Sequence, residues 1–202
     1  KTKPKTEVHE YQAEMQKLLE ILVHSLYTER EIFLRELVSN ASDALSKVQL
    51  TTLTEEKVLD KDAELQIKIS FDENKHKLEI EDSGCGMTKE ELVSNLGTIA
   101  NSGTLKFLQQ AQAENKSAEN LIGQFGVGFY SVFMVAERVE LTTRSWQVDS
   151  QAWEWTSSGG GQYEITPAKY NQRGTCVKIF LKEDAKEFCS KWKLESIIKK
   201  YS

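Results

Sequence analysis

The chain has 202 residues, of which 39% are hydrophobic and 28% are charged, which suits one folded domain with its own core. The formal net charge of −5 argues against nucleic acid as the main partner, and no apolar stretch approaches the ~18 residues that span a bilayer. Three widely spaced cysteines and three scattered histidines lack the spacings of a disulfide framework or a zinc site, which favours a reducing compartment.

The first two predicted elements are helices. The N-terminal residues are polar and basic, so we expect residues 1–9 to form a flexible segment. Apolar residues at helical spacing then predict one helix from about residue 10 to 26 and a second from about 28 to 48. Thr28 and Glu31 have the spacing of a capping box, which marks a helix N-terminus.

A hairpin and a glycine-rich loop come next. Apolar and polar residues alternate at 65–69 and at 78–81, which predicts two strands of a β-hairpin. The loop 82–88 follows the second strand directly. Thr88 and Glu91 then repeat the capping-box spacing and open a short helix.

The second half of the chain is rich in predicted strands. Charged, irregular residues at 51–63 precede the hairpin, and an apolar helical run follows a second glycine-rich loop at 123–129. Strand patterns then occur near 137–144, 151–156, 161–165 and 175–181, and a helical pattern covers about 184–201. This order indicates an α+β fold, a two-layer sandwich of a mostly antiparallel sheet with helices on one face.

Glycine is concentrated in one part of the sequence. Seven of the eleven glycines lie between positions 84 and 128, although clustered glycine costs backbone entropy on folding. Such a cluster predicts a ligand that approaches the main chain closely, and phosphate is the commonest ligand of this kind. The pattern matches neither a P-loop nor a Rossmann fingerprint, so a bound nucleotide would be held in another way.

One face of the helix predicted at 28–48 carries polar residues that could do chemistry. At ~100° per residue, five polar side chains fall within about 80° of one another: Glu36, Ser39, Asn40, Asp43 and Lys47. The common interpretation is a solvated helix surface. The alternative is catalytic, because Glu36 and Asn40 are i, i+4 neighbours, and an amide can ligate Mg²⁺ while a carboxylate deprotonates a water.

Asp82 also has two interpretations. It could simply favour the turn that follows a strand. Alternatively, its carboxylate could accept a hydrogen bond from the exocyclic amine of adenine and so select the base. In that case Gly84 and Gly86 would let the ring lie against the backbone.

Taken together, these segments resemble the heat-shock protein 90 chaperones. The resemblance extends over nearly the whole chain from about Glu10, and its details lean toward the bacterial HtpG branch, with the mitochondrial branch also similar. The segments that carry it, in the family's order, are EIFLRELVSNASDAL at 31–45, DSGCGMT at 82–88, NLGTIA at 95–100, GQFGVGFYS at 123–131 and RGT at 173–175.

The resemblance implies a role for each matching residue. Glu36 would be the general base that activates the attacking water, with Arg35 as its structural partner, and Asn40 would ligate Mg²⁺ bound to the phosphates. Asp82 would accept a hydrogen bond from the adenine amino group, with Thr175 helping through water. The other expected ATP-binding residues are Asp43, Gly86 and Met87 at the base, Asn95 near the ribose, and Gly123, Gln124, Phe125, Gly126, Val127, Gly128 and Phe129 around the phosphates.

The same resemblance implies a domain organisation. Residues 10–202 would form a single ATP-binding domain with a mobile lid at about 97–128. The family's middle domain, which supplies a phosphate-contacting arginine, and its C-terminal dimerisation domain are expected to be absent here, so the isolated domain should be mainly monomeric and hydrolyse ATP slowly or negligibly. Asn101 departs from the family, which usually has a phosphate-contacting basic residue there, and it gives up a charge-assisted hydrogen bond.

Three functions remain open at this stage. The first is the ATP-binding and ATPase module of a chaperone, which drives clamp closure and client protein folding in a full-length homodimer. The second is a non-catalytic ATP-dependent switch, which fits Asn101 but not the retention of Glu36. The third is a kinase of the histidine-kinase superfamily, for which His24 is a poor phosphoacceptor. The expected partners are an adenine nucleotide with Mg²⁺ and unfolded client proteins, without nucleic acid or membrane, in the cytoplasm or alternatively the mitochondrial matrix.

Overall fold

The computed structural model describes residues 5–11, 30–97 and 128–201. The strands in these ranges are β1 (Glu7–Glu10), β2 (Ile67–Asp72), β3 (Lys77–Asp82), β4 (Ala136–Arg144), β5 (Ala152–Ser157), β6 (Gln162–Ala168) and β7 (Gly174–Leu181). They form one seven-stranded sheet in the order β1-β6-β5-β4-β7-β3-β2, and every neighbouring pair is antiparallel. The helices are α1 (Ile32–Thr54), α2 (Lys89–Gly97) and α3 (Lys191–Tyr201), with 3-10 helices at Gly128–Met134 and Glu183–Phe188. The α+β fold and the largely antiparallel sheet are therefore confirmed.

Helix α1 packs against the sheet. It contacts β3, the 3-10 helix that begins at Gly128, and α3. Its apolar face buries Ile32, Phe33, Leu34 and Leu37 in the main core, together with inward-facing residues of the strands. Burial of this apolar surface, at about 25 cal/mol per Å², is the main force that holds the helix on the sheet.

Three adjacent strands place matching rows of side chains on the face that α1 covers. In β3 the buried positions alternate, as expected for a strand with one face toward the core. The antiparallel register continues each position into β7 and β4. Two of the resulting rows are apolar and the third is polar: Leu78–Ile179–Val139, Ile80–Val177–Leu141 and Asp82–Thr175–Thr143.

The N-terminal segment differs from the prediction. Glu7–Glu10 forms β1, which pairs with β6 at one edge of the sheet, and the Glu7 carboxylate lies 2.7 Å from Lys89 Nζ. The expectation of a flexible segment is therefore wrong for residues 7–9. Pairing with a strand far along the chain supplies backbone hydrogen bonds that a local pattern cannot indicate. The first predicted helix lies outside the described residues beyond residue 11.

Helix α1 is longer than predicted. It begins at Ile32 and continues past residue 48 to Thr54, so it takes in residues expected to be irregular. No glycine or proline interrupts this stretch, and Thr51 Oγ1 donates to Lys47 O at 2.9 Å within the helix. Glu31 occupies the N-cap position of α1 and makes no side-chain cap hydrogen bond there. Its predicted capping-box partner, Thr28, lies outside the described residues.

Other predicted elements are confirmed. The hairpin forms as β2 and β3, and the capping box of α2 is complete, with Thr88 N–H donating to Glu91 Oε2 at 2.9 Å and Glu91 N–H to Thr88 Oγ1 at 3.2 Å. The C-terminal helical region is divided into a 3-10 helix and α3, with Cys189 and Ser190 between them. Among the helices described here, none has the length and apolar character needed to cross a membrane.

Candidate functional site

A cleft of about 760 Å³ is lined by residues of α1, α2, the ends of β3 and β7, and the 3-10 helix after residue 127. Every predicted site residue within the described ranges lines it, namely Glu36, Asn40, Asp43, Asp82, Gly86, Met87, Asn95, Gly128, Phe129 and Thr175. The predicted phosphate-loop residues Gly123, Gln124, Phe125, Gly126 and Val127, Asn101 and the predicted lid interior lie outside the described residues.

Asp82 lies in the floor of the cleft. It continues the buried face of β3, and only 7% of its surface is exposed. Its Oδ1 accepts the Gly84 N–H at 2.8 Å. Burial raises the pKa of Asp82 to about 6, against the opposing effect of the Gly84 and Thr175 N–H groups. The site therefore contains a desolvated carboxylate with spare capacity to accept a hydrogen bond.

Thr143 joins Asp82 and Thr175 in the polar row, although the sequence analysis did not single it out. Its Oγ1 lies 3.0 Å from Thr175 Oγ1 and 3.1 Å from the Gly174 carbonyl oxygen, and it accepts the Met87 N–H at 3.0 Å. One hydroxyl thus connects two strands with the glycine loop. The alternation of Val139, Leu141 and Thr143 would have placed it on the core face, but only the register of β4 on β7 places it beside Thr175.

The first glycine loop is fixed to the protein around it. Cys85 N–H donates to Ala44 O in α1 at 3.1 Å, and Trp146 N–H donates to Cys85 O at 2.8 Å. A Cβ at residue 84 would lie 2.5 Å from Ala44 Cβ. Gly84 is therefore required by close packing on α1, and the expectation that it makes room for a base is wrong, since it is not among the residues that line the cleft.

Gly86 is also required by the protein itself. Its φ of +57° lies in the left-handed region that favours glycine, and a Cβ there would overlap the Arg144 carbonyl oxygen. Unlike Gly84, it lines the cleft. The sequence signal was correct in locating the site, but the close neighbours of both glycines are protein atoms.

The polar face of α1 borders the cleft. All five of its predicted polar residues line the cavity: Glu36, Ser39, Asn40, Asp43 and Lys47. This face is therefore more than a solvated helix surface. Asn40 and Ser39 are exposed within it, which leaves their side chains accessible to a ligand.

Glu36 is held in one orientation from two sides. Arg35 Nε and Nη2 donate to Glu36 Oε1 at 3.2 and 2.9 Å. The other oxygen, Oε2, faces Gly128, where a Cβ would overlap it. The expected pairing of Arg35 with Glu36 is present, and the carboxylate points to the end of the predicted phosphate loop.

Helix α3 supports Arg35 from outside the cleft. The Arg35 guanidinium lies 5.4 Å from the centroid of the Tyr201 ring, which is within cation–π range. The Tyr201 hydroxyl donates to Glu31 Oε1 at 3.1 Å, and Lys200 pairs with the same oxygen. Glu31 thus links the start of α1 to the last turn of α3.

The remaining walls come from α2 and the apolar rows of the sheet. Asn95 Nδ2 lies 3.6 Å from Met87 Sδ, which places these two predicted residues together at one side of the cleft. Phe129 packs its ring against Trp155, with centroids 5.6 Å apart. The lining residues that the sequence analysis missed include Ala44, Ile80, Glu91, Ser94, Leu96, Leu141 and Val177.

The described residues contain no cluster of three or more His, Cys, Asp or Glu side chains that could hold a metal ion. Among the described residues, Asn40 and Asn95 both line the cleft with exposed amide side chains. This donor set fits Mg²⁺, which is typically held by one or two protein oxygens, substrate phosphates and water.

The sequence of this chain matches a known protein family and several curated proteins. Residues 27–184 match the family described as histidine kinase-, DNA gyrase B-, and HSP90-like ATPase. The chain is 54% identical over 195 residues to the chaperone protein HtpG of Chlorobium phaeobacteroides, covering 96% of this chain and 31% of that protein. It is 52% identical over 194 residues to HtpG of Wolinella succinogenes, with the same coverage, and 51% identical over 197 residues to HtpG of Desulfitobacterium hafniense, covering 97% and 32%. The chain thus spans about a third of the length of these relatives.

Proposed function

This chain belongs to the family of histidine kinase-, DNA gyrase B- and HSP90-like ATPases, and from that premise we propose that it is the nucleotide-binding module of an ATP-dependent molecular chaperone of the HtpG type. The observation that carries the proposal is the cleft itself. A buried carboxylate, Asp82, lies in its floor, and Glu36 and Asn40 line it from α1. Such a cleft can hold a base at one part and a phosphate chain at another.

The base is held through the polar row. Asp82 accepts a hydrogen bond from the adenine amino group. Thr175, whose Oγ1 lies 3.0 Å from Thr143 Oγ1, holds a water that makes a further hydrogen bond to the base. Gly86 and Met87 border the ring, and the apolar rows of the sheet provide a dry floor beneath it. Adenine is selected because its amino group donates a hydrogen bond to Asp82. The keto oxygen of guanine cannot donate, so guanine would lose this buried hydrogen bond, at a cost of about 1–3 kcal/mol.

The sugar and phosphates lie along the rest of the cleft. Asp43 contributes to the base pocket, and Asn95 lies near the ribose. Gly128 and Phe129 contribute backbone at the start of the 3-10 helix, and Gly123–Val127 wrap the phosphates through their amides. Backbone N–H groups that precede a helix are well suited to this task because they are unpaired donors.

Hydrolysis uses Glu36 as the general base. Arg35 occupies Oε1, so Oε2 is the oxygen positioned to take the proton from a water. The water oxygen bonds to the terminal phosphorus as the bond from that phosphorus to the bridging oxygen of ADP breaks. Asn40 would hold Mg²⁺ through its side-chain oxygen, and the ion would supply positive charge that offsets the charge of the phosphates.

The wider activity concerns the whole protein. We propose that ATP binding and hydrolysis drive clamp closure and client protein folding in a full-length cytoplasmic homodimer. The name of the relatives, chaperone protein HtpG, supports the chaperone part of this proposal. A monomeric isolated domain with little turnover is part of the same proposal.

A calorimetric titration tests the function directly. The chain is titrated with ATP, ADP and GTP, each with and without Mg²⁺. We expect ATP and ADP to bind and GTP to bind at least tenfold more weakly, since losing one buried hydrogen bond costs about 1–3 kcal/mol. Equal binding of all three would contradict base selection by Asp82, and no binding of any would contradict the proposed function.

A further inference from the structure

Arg173 is a fully buried cation directly before β7. Only 1% of its surface is exposed, and it is among the largest fully buried side chains described. Its Nη1 donates to Gly84 O at 3.4 Å, and its backbone N–H donates to Asp60 Oδ2 at 3.2 Å. Among the described residues, Nε and Nη2 have no hydrogen-bond partner. Burial of a guanidinium is costly unless charge compensates for it, so its position needs a reason.

Gly84 connects Arg173 to the base-selecting carboxylate. The Gly84 N–H donates to Asp82 Oδ1 at 2.8 Å, while its carbonyl accepts from Arg173. Asp82 pairs with Thr175 in the β3–β7 register, two residues after Arg173. The side chains of Arg173 and Asp82 therefore hydrogen-bond to the same residue, one to the carbonyl oxygen of Gly84 and the other to its N–H.

A second, smaller cavity lies between these residues. Its volume is about 80 Å³, and both Asp82 and Arg173 line it, with Asp60, Gln66, Glu81 and Ser83 among the other walls. A polar space of this size holds about two or three water molecules. Arg173 and Asp82 thus share a polar boundary behind the cleft.

Asp82 and Arg173 are both buried, and each influences the pKa of the other. Burial raises the pKa of Asp82 to about 6, opposed by the Gly84 and Thr175 N–H groups and by the charge of Arg173. Burial also lowers the pKa of Arg173, and the charges of Asp60 and Asp82 oppose that fall. The other titratable groups in this region are Glu81 beside Asp82, Cys85 and Asp60 in the neighbouring loops, and Glu36, Asp43, Lys47 and Glu91 around the cleft.

We propose that Arg173 is a positioning residue for base selection. It keeps Asp82 in its carboxylate form, so that the site accepts a hydrogen bond from the amino group of adenine and rejects the keto oxygen of guanine. The inference rests on the proposed function, in which Asp82 binds the base. A protonated carboxyl carries an O–H donor and can bond a keto oxygen. Loss of the Arg173 charge would therefore weaken the preference for ATP over GTP as well as the affinity for ATP.

The test measures protonation and selectivity separately. The side-chain carboxyl of Asp82 is titrated by NMR in the wild-type chain, in Arg173→Gln, which is neutral, and in Arg173→Lys, which keeps the charge. Arg138→Gln is the matched control, because Arg138 lies on β4 in a surface pair with Glu140. We expect the pKa of Asp82 to rise in Arg173→Gln only. The ATP-to-GTP affinity ratio should fall in the same variant.

The outcomes separate the inference from the proposed function. Normal ATP binding with an unchanged Asp82 titration in Arg173→Gln would overturn the role of Arg173 alone, whereas absence of ATP binding in the wild type would overturn the proposed function. If Arg173→Gln does not fold, the wild-type chain still decides. Its ATP-to-GTP ratio must fall as the pH is lowered from about 8 to about 5 through the pKa of Asp82, and a constant ratio would overturn the inference.

Discussion

The carboxylate of Glu36 occupies the space that a side chain at residue 128 would need. A Cβ at that position would overlap Glu36 Oε2 and lie 3.1 Å from Glu36 Cδ. The glycine at the end of the predicted phosphate loop is thus fixed by the orientation of the proposed general base. Arg35 holds the opposite oxygen, so the carboxylate has little freedom to move aside.

Gly128→Ala should therefore separate binding from hydrolysis. We expect the variant to bind ATP within about threefold of wild type but to hydrolyse it at least tenfold more slowly in the full-length protein, because a misplaced base loses most of its contribution. Calorimetry and a steady-state ATPase assay measure the two effects. Gly160→Ala is the matched control, since the nearest atom to its Cβ would be Ser158 Oγ at 3.8 Å. Normal hydrolysis in Gly128→Ala would contradict the placement of Glu36.

Asp82→Asn should abolish nucleotide binding and still fold. The raised pKa of Asp82 means that the folded state binds a proton near pH 6, whereas the unfolded state binds it near the ordinary aspartate pKa of 3.8. The ionised carboxylate therefore destabilises the fold at neutral pH, and its contribution to stability improves as the pH falls from about 6 to about 4. A neutral amide removes that cost.

Thermal unfolding at two pH values measures this effect. We expect Asp82→Asn to unfold at a higher temperature than wild type at about pH 7.5, with the difference becoming smaller at about pH 4. ATP affinity should fall by about a hundredfold or more, as expected for loss of a buried charged acceptor. A variant that is less stable at neutral pH, or one that binds ATP normally, would show that Asp82 has another role.

Thr143→Val tests the hydroxyl that joins β4 to the glycine loop. The substitution keeps the shape but removes the contacts to Thr175, Gly174 and the Met87 N–H. We expect ATP affinity to fall by about tenfold, the equivalent of one buried hydrogen bond. Thr142→Val is the control, because Thr142 points to the other side of the strand and bonds Glu154. Similar affinity losses in both variants would indicate a general effect on the sheet.

Tyr201 offers a test of how α3 influences the proposed base. Tyr201→Leu removes the ring beneath Arg35, whereas Tyr201→Phe keeps the ring and removes only the hydroxyl bond to Glu31. We expect Tyr201→Leu to lower the hydrolysis rate by about threefold at unchanged ATP affinity, in keeping with an exposed cation–π contact. Tyr201→Phe should retain most of the rate. A loss of ATP affinity in either variant would indicate a different route of action.

Much of the site could be predicted because its residues lie in short, locally readable patterns. The i, i+4 spacing of Glu36 and Asn40 and the strand end at Asp82 are such signals, and the structure brings all three to one cleft. Thr143 could not be found in this way. Its place depends on the register between β4 and β7, which no local period determines.

The same limit explains the errors in the fold. β1 exists because residues 7–10 meet β6 far along the chain, and its short sequence alone does not distinguish a strand from a frayed end. The sequence predicts that Gly84 and Gly86 make room for a ligand, but the atoms that exclude a side chain there belong to Ala44 and Arg144. Close packing between distant segments decides such positions, and it becomes visible only in three dimensions.

The polar row of Asp82, Thr175 and Thr143 also has a consequence for how the protein folds. It is complete only after β3, β7 and β4 have paired, and these pairings join segments far apart in sequence. Such pairings slow folding, since closing long loops is entropically costly. A nucleotide that needs the completed row therefore cannot speed the assembly of the sheet. It acts instead on the finished domain, where it slows unfolding and raises stability with its concentration.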